Sequence, residues 1–169
     1  ILRPGTIYGK ENLWNGRLGM TLGRRLWIRM GGRAILPLCY VENCAEAILL
    51  SAENSQSKDH IFNVVDDELP TQKKYGHLIR QHLEPKPTII AVPWVVVRWV
   101  SWGIEKINHW VFQGRLKVPS ILVPARLHAR VKPMRYANQK IKSVLGWQPR
   151  YALLEALDRS VSDYAGEVR

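Results

Sequence analysis

Short apolar runs of strand length alternate along this chain with longer segments of helical pattern, and this alternation limits the fold more than any other feature. The strand-like segments are residues 2–9, 34–41, 61–65 and 89–92. The helical segments are residues 42–52, 73–83, 134–146 and 153–164. Strands that alternate with helices predict an α/β fold in which some of the strands pair in parallel.

Local signals mark where several of these elements begin. Asn43, with Glu46 three positions later, has the pattern of a helix-capping pair, and Thr71 stands where a cap is expected before the helix at 73–83. Residues 17–30 are interpreted as a further helix, because apolar side chains recur there every four residues. These side chains are Leu18, Leu22, Leu26 and Met30.

Residues 93–112 have an amphipathic helical pattern rich in tryptophan. At 100° per residue, one broad apolar face collects Val96, Val97, Val100, Ile104, Ile107, Trp110 and Val111. The opposite face is polar, so the segment is not expected to cross a bilayer. Two interpretations stay open. The helix packs on the protein's own core, or it lies in a membrane interface or covers an apolar substrate.

The distribution of charge is uneven. The net charge is +11, and no acidic residue occurs between Glu105 and Glu155. That stretch contains Lys106, Arg115, Lys117, Arg126, Arg130, Lys132, Arg135, Lys140, Lys142 and Arg150. Such a stretch attracts phosphate groups, nucleic acid or an acidic membrane, or it is simply a solvated basic face.

Few residues have a pattern typical of catalysis. Cys39 and Cys44 lie in apolar surroundings and are expected to be buried thiols, not metal ligands, which indicates a reducing compartment. Tyr136 and Lys140 have the spacing of a Tyr-x-x-x-Lys pair, but we interpret this as coincidence because of their place before the LGWQPR segment. We therefore predict no catalytic residue in this chain.

Three segments in order resemble one protein family. LRPGTIYG is similar to an RPxxxYG strand and loop, LPLCYVENCAEAILLSAE to a strand and helix, and KIKSVLGWQPRYALLEALDRSVSDY to a C-terminal pattern. Together they resemble the NAD-dependent epimerase/dehydratase group of the extended short-chain dehydrogenases/reductases. The resemblance extends from Ile1 to Tyr164.

This resemblance implies the C-terminal part of a Rossmann-type fold, with late parallel strands and a small α/β substrate-binding subdomain. Residues 1–12 would form a late strand and the loop on the nicotinamide side, and residues 13–169 the substrate-binding subdomain with interleaved late Rossmann elements. In the family, the Gly-rich loop and the catalytic Tyr-x-x-x-Lys precede the RPxxxYG strand. We therefore expect a single partial domain without them.

The resemblance also assigns residues to ligands. The cofactor, NAD or NADP, would be bound mainly by the missing half and would contact Pro4, Gly5, Thr6 and Ile7. The residues expected to line the substrate pocket are Tyr8, Leu36, Leu38 and Trp94.

The tryptophan-rich helix and the basic stretch look most like the 3β-hydroxysteroid dehydrogenase branch. That branch implies hydride transfer at a carbon bearing a hydroxyl or ketone, with an apolar, sterol-like substrate. It also implies a cytoplasmic protein with peripheral contact to an anionic membrane, and we expect a homodimer for the full-length enzyme. Sugar-nucleotide members often carry an Arg in the region where this chain has Leu36-Pro37-Leu38. The lack of this Arg disfavours a nucleotide sugar, which is kept as the alternative substrate.

A hypothesis of another class is a non-enzymatic basic half-domain that binds an anionic membrane or RNA. The chain has basic residues with interleaved aromatic residues but no recognised nucleic-acid motif, so a nucleic-acid partner is disfavoured.

Overall fold

The computed structural model describes residues 1–23, 25–84, 86–112 and 136–166 and has an α/β architecture, as the sequence predicts. The strands are β1 (Leu2–Pro4), β2 (Thr6–Tyr8), β3 (Gly19–Leu22), β4 (Leu26–Met30), β5 (Leu38–Tyr40), β6 (Phe62–Val64) and β7 (Thr88–Val92). The helices are α1 (Val41–Glu53), α2 (Gln72–His82), α3 (Trp94–Phe112), α4 (Gln139–Leu145) and α5 (Leu153–Gly166). Two short 3-10 turns lie at Lys10–Asn12 and Ser55–Ser57.

The strands form three separate ladders. β1 pairs in parallel with β6, and β2 pairs in parallel with β5. The third ladder has the order β3-β4-β7, in which β3 is antiparallel and β7 parallel to β4. Three of the four strand pairings among the described residues are therefore parallel, which agrees with the alternation of strands and helices in the sequence.

The prediction of a helix at residues 17–30 is wrong, because this segment forms the β3-β4 hairpin. Gly23 makes the turn with φ 69°, and Gly19 (φ 150°) lies so close to the Ile28 carbonyl that no side chain fits there. A spacing of four residues is also a multiple of the two-residue period of a strand. Six apolar side chains stand at every second position, namely Leu18, Met20, Leu22, Leu26, Ile28 and Met30, and Trp27 falls between two of them.

The predicted helix α1 is confirmed, but its predicted cap is wrong. The helix begins at Val41, its N-cap residue is Tyr40, and no side chain caps it. Asn43 is fully buried instead, and its amide donates to an Asp66 carboxylate oxygen (2.9 Å) and to the Tyr151 carbonyl (3.0 Å). The cap predicted at Thr71 is confirmed, since its hydroxyl accepts from the Lys74 amide at 3.2 Å.

Two main clusters of side chains form the core of the described residues. The larger one joins β2, β5, α2 and α5 through Tyr8, Leu13, Leu18, Trp27, Leu36, Leu38, Tyr40, Tyr75, Ile79, Leu83, Leu153, Ala156 and Leu157. The second joins β6, α1 and α4 through Cys39, Cys44, Ala47, Phe62, Val64, Ile141, Leu145 and Trp147. Both cysteines are buried free thiols, as expected.

Helix α3 is present as predicted, but the side that packs on the protein lies at one edge of the predicted apolar face. Val97 and Ser101 are buried, and Val97 contacts Met30 of β4. Four members of the predicted apolar face point to solvent, namely Val96, Val100, Ile107 and Trp110. The apolar residues of α3 extend around more of the helix than its contact with β4 and β7 can cover.

The Asn43 hydrogen bonds predict a large effect of removing its side chain. Asn43→Ala would break the bonds to Asp66 and to the Tyr151 carbonyl, and also the bond that Asn43 Oδ1 accepts from the Tyr151 amide at 3.0 Å. Because a buried carboxylate loses a partner, we expect the free energy of unfolding to fall by about 3 kcal/mol. Chemical denaturation measures this change.

Asn54→Ala is the matched control. Its side chain accepts one exposed hydrogen bond, from the Gln56 amide. For this variant we expect the free energy of unfolding to fall by less than about 1 kcal/mol. A similar loss for both variants would contradict the structural role of Asn43.

Candidate functional site

A cleft of about 390 Å³ opens where β2 ends. It is lined by Ile7, Tyr8, Gly9, Lys10, Glu11, Asn12 and Val41. β2 and β5 are parallel, so their carboxyl ends meet at one edge, and the chain enters α1 directly after β5. Crevices at the carboxyl ends of parallel strands are the usual place for ligands in α/β folds. The cleft is therefore the candidate functional site.

The wall of the cleft is held by short hydrogen bonds. The Asn12 side-chain amide donates to the Ile7 carbonyl at 2.7 Å, which fixes the 3-10 turn against the end of β2. The first turn of α1 has no side-chain cap, so its free amide groups and the helix dipole favour an anion nearby. Lys10 and Glu11 add one charge of each sign to the same lining.

The structure brings two of the predicted ligand residues to this cleft. Ile7, expected on the cofactor side, is 38% exposed, and Tyr8, expected on the substrate side, is fully buried yet contributes to the lining. Pro4, Gly5 and Thr6 precede them on the same strand run.

The other predicted substrate residues lie elsewhere in the fold. Leu36 and Leu38 are buried in the larger core cluster, and neither lines this cleft. Trp94 begins α3 and packs beside Met30 and Val97. Leu36 and Leu38 thus share a core cluster with Tyr8 without lining the cleft, and Trp94 belongs to a different cluster.

Gly5 has a structural reason to be glycine. Its amide donates to the Val64 carbonyl at 2.9 Å, and the next amide, of Thr6, donates to the Pro37 carbonyl at 2.6 Å. A Cβ atom at Gly5 would overlap the Pro37 carbonyl oxygen and lie 2.8 Å from Val65 Cγ1. The space beside Gly5 is thus filled by the protein itself, and the exposed apolar side chains of this segment are Pro4 and Ile7.

A buried carboxyl group lies behind the cleft. Asp66 is 3% exposed and accepts hydrogen bonds from the Tyr40 amide and the Asn43 side chain, both at 2.9 Å. Desolvation outweighs these bonds and raises the pKa of Asp66 to about 6. Burial and the nearby Asp66 charge raise the pKa of the Tyr8 hydroxyl above its ordinary value, so the phenol stays protonated.

Tyr8 is oriented mainly by packing. Its ring contacts Tyr40 and Tyr75, with centroids 5.6 Å and 5.9 Å away. Its hydroxyl has no hydrogen-bond partner of standard length and angle among the described residues. A protonated phenol held in this way supports the shape of the cleft and does not act as a proton acceptor.

A second cleft, of about 200 Å³, lies on the other side of the 3-10 turn. It is lined by Lys10, Glu11, Leu13, Trp14, Thr21, Gly23, Trp27 and Leu83. The rings of Trp14 and Trp27 have centroids 4.6 Å apart. Since Lys10 and Glu11 line both clefts, the turn forms a shared wall between a strand-end cleft and an aromatic one.

Two kinds of chemistry have no support in the part of the chain that the structure describes. No group of three His, Cys, Asp or Glu side chains there could hold a metal ion. Tyr136 precedes α4 and Lys140 lies within it, so the two do not share a helix face. The basic residues at 115–135 lie outside the described residues, and with them the main support for the RNA-binding alternative.

Sequence reasoning missed most of the cleft lining. Lys10, Glu11 and Asn12 follow the YG of the RPxxxYG pattern directly, so their position next to a strand end was the available signal. The role of Asp66 had no such signal, because an Asp after a strand is also typical of a turn.

Gly5→Ala tests the close packing of the loop. The new methyl group would force the chain away from Pro37, and we expect the free energy of unfolding to fall by about 2–3 kcal/mol. Gly103→Ala in α3 is the control, since nothing lies within 4 Å of its added Cβ, and it should stabilise the helix by up to about 1 kcal/mol. Thermal denaturation of both variants measures the difference. A neutral Gly5→Ala variant would show that the loop is free to move.

The Asp66 pKa predicts a pH dependence of stability. Between about pH 4 and 6 the folded carboxyl keeps a proton that the unfolded chain has released. The contribution of Asp66 to the free energy of unfolding therefore falls as pH rises through this window, by about 3 kcal/mol. Asp66→Asn should remove this fall, as measured by urea denaturation at several pH values.

Asp67→Asn is the control for this pH profile. Despite partial desolvation, hydrogen bonds from Lys142 and Asn138 lower the pKa of Asp67, so its contribution has the opposite sign and is lost as pH falls. The Asp67→Asn variant should keep the fall between about pH 4 and 6. If Asp66→Asn kept it as well, the buried carboxyl would not be its source.

The fold has close structural relatives of low sequence identity. UDP-glucose 4-epimerase from Thermotoga maritima, solved with UDP-glucose, superimposes with a TM-score of 0.65 at 18% identity over 99% of this chain and 46% of that protein. UDP-glucose 4-epimerase from Thermus thermophilus, in complex with NAD, has a TM-score of 0.60 at 15% identity, over 98% of this chain and 46% of that protein. UDP-glucuronic acid 4-epimerase from Bacillus cereus, solved as a mutant with a fluorinated UDP-sugar and NAD, has a TM-score of 0.62 at 13% identity, over 100% of this chain and 45% of that protein.

These likenesses are to solved structures alone. No protein-family model and no curated protein matches the chain. The chain spans about half the length of the solved proteins it resembles. At these identities the comparison shows the fold, and the described residues therefore form part of a Rossmann-like α/β fold with parallel strands.

Proposed function

We propose that this chain is the C-terminal, substrate-binding part of an NAD-dependent epimerase or dehydrogenase that acts on a carbon bearing a hydroxyl or ketone. The cleft at the carboxyl ends of β2 and β5 carries this proposal, because Ile7 and Tyr8 of the RPxxxYG pattern line it. The solved structures with the same fold include epimerases in complex with NAD.

A nucleotide sugar is the substrate class that we propose. The sterol-like substrate that the sequence favoured has no support among the solved structures, whereas two of them hold a UDP-sugar. In a lining that also includes Ile7 and Glu11, Lys10, Asn12 and the uncapped start of α1 supply the donors that a diphosphate would accept from. Sugar-nucleotide members often carry an Arg in the region of Leu36. Leu36 is buried in the core, so this position does not supply the phosphate partner here.

The proposed role of this chain is to bind and orient ligands. NAD supplies the hydride acceptor when it is bound. Ile7 would place its apolar side chain along one side of the cleft, while Lys10 would attract the substrate phosphates. The general acid or base would come from a part of the enzyme outside this chain, because burial raises the pKa of Tyr8 and its phenol then neither accepts a proton nor readily gives one up.

The test uses the polypeptide as its gene encodes it. We expect calorimetry to detect binding of NAD and of UDP-glucose, and chromatography to detect epimerisation or oxidation of the UDP-sugar. Lys10→Ala should weaken UDP-glucose binding roughly tenfold and leave NAD affinity nearly unchanged. Lys58→Ala, an exposed cation distant in sequence from the cleft, is the matched control and should bind both ligands normally.

The outcomes separate the parts of the proposal. Binding of NAD and of a sterol, without binding of UDP-sugars, would overturn the substrate class but keep the enzyme class. Binding of neither NAD nor UDP-sugars would overturn both, and salt-sensitive binding of RNA in that case would favour the basic half-domain.

A further inference from the structure

Helix α3 exposes an apolar face that nothing in the described residues covers. The residues of this face, called here the outer face, are Val95, Val96, Trp99, Val100, Trp102, Ile107 and Trp110. Trp99 is 61% exposed and Trp110 is 81% exposed. At 100° per residue the centre of the outer face lies opposite Val97 and Ser101, which are buried against the protein. The core therefore uses only the side of the helix with Val97 and Ser101, and the more apolar side stays exposed.

The outer face is long and continuous with the sheet beneath it. From Val95 to Trp110 it extends over about 22 Å at the rise of an α-helix. Beside it, a narrow apolar cleft of about 120 Å³ separates α3 from β4 and β7. The lining of that cleft is Ile28, Met30, Val92, Val96, Val97 and Val100. Contiguous apolar surface of this kind marks an interaction site in soluble proteins.

The composition of the outer face fits a lipid interface. Trp99 and Trp102 pack edge to face with centroids 6.0 Å apart, and Lys106 Nζ lies 5.7 Å from the Trp102 ring centre. Indole rings prefer the headgroup level of a bilayer, and a lysine stem beside them lets the ammonium reach water. Three exposed indoles with a lysine on the same side are the arrangement that this headgroup level favours.

Charge indicates which lipids are involved. After Glu105 the sequence has no acidic residue before Glu155, and ten lysines and arginines occur in between. Cations beside an amphipathic helix are attracted to the negative surface of bilayers that contain acidic lipids. None of the described helices is long and apolar enough to cross a bilayer, so such a contact would lie along the surface.

We propose that α3 binds the surface of an anionic lipid bilayer, with the outer face embedded at headgroup depth. The bilayer is the occupant of the outer face, and the rest of the chain stays on the water side through the contact of Val97 with Met30. This proposal is independent of the substrate that the strand-end cleft binds.

Vesicle flotation tests the proposal on the polypeptide as its gene encodes it. We expect the protein to float with vesicles of phosphatidylcholine that contain phosphatidylserine, and to float much less with phosphatidylcholine alone. Added salt should release it, because the cation contribution is screened. Tryptophan fluorescence should shift to shorter wavelength on binding and be quenched by brominated lipid.

A matched pair of double variants assigns the binding to the outer face. Trp99→Ala combined with Trp110→Ala should lower the partition coefficient about tenfold or more. Ile48→Ala combined with Leu49→Ala removes two exposed apolar side chains from α1 and should change it less than about twofold. All four positions are exposed, so both variants should fold, which circular dichroism checks.

Three results would overturn the proposal. The first is an absence of flotation with anionic vesicles. The second is unchanged flotation of the Trp99→Ala, Trp110→Ala variant. The third is self-association in sedimentation velocity that this variant abolishes while vesicles bind nothing, which would assign the outer face to a second copy of the chain.

Discussion

A buried carboxyl group joins elements that lie far apart in the sequence. Asp66 follows β6, and it accepts hydrogen bonds from the Tyr40 amide at the end of β5 and from Asn43 in the first turn of α1. Asn43 in turn bonds both the amide and the carbonyl of Tyr151, just before α5. The network thereby ties the end of β5 and the start of α1, which adjoin the strand-end cleft, to the segments after β6 and before α5.

Much of the fold could be predicted because its elements have distinct periods. α1, α2, α5, β6 and β7 all lie where the sequence indicates them. The β3-β4 hairpin could not be separated from a helix by spacing alone, since side chains four residues apart satisfy both periods. Gly19 favours the hairpin, because a side chain there would overlap the Ile28 carbonyl. This contact forms only once β4 lies beside β3, so the sequence alone does not reveal it.

The candidate site was less predictable than the fold. Ile7 and Tyr8 reach the cleft because they belong to the strand that ends there. Leu38 belongs to β5, where all three residues are buried, so none of them is free for a ligand. Helix α3 was hard to orient for a different reason: its apolar residues cover more than half of its circumference, and a sequence pattern does not tell which part of them meets the core.

One continuous stretch of chain serves two ladders, and Gly5 is the point where it passes from one to the other. β1 before it pairs with β6, and β2 after it pairs with β5. Adding or deleting one residue here would invert the alternation of β2 and exchange the sides on which Ile7 and Tyr8 stand. Evolution can therefore change this cleft by exchanging side chains, but not by altering the length of the segment that leads into it.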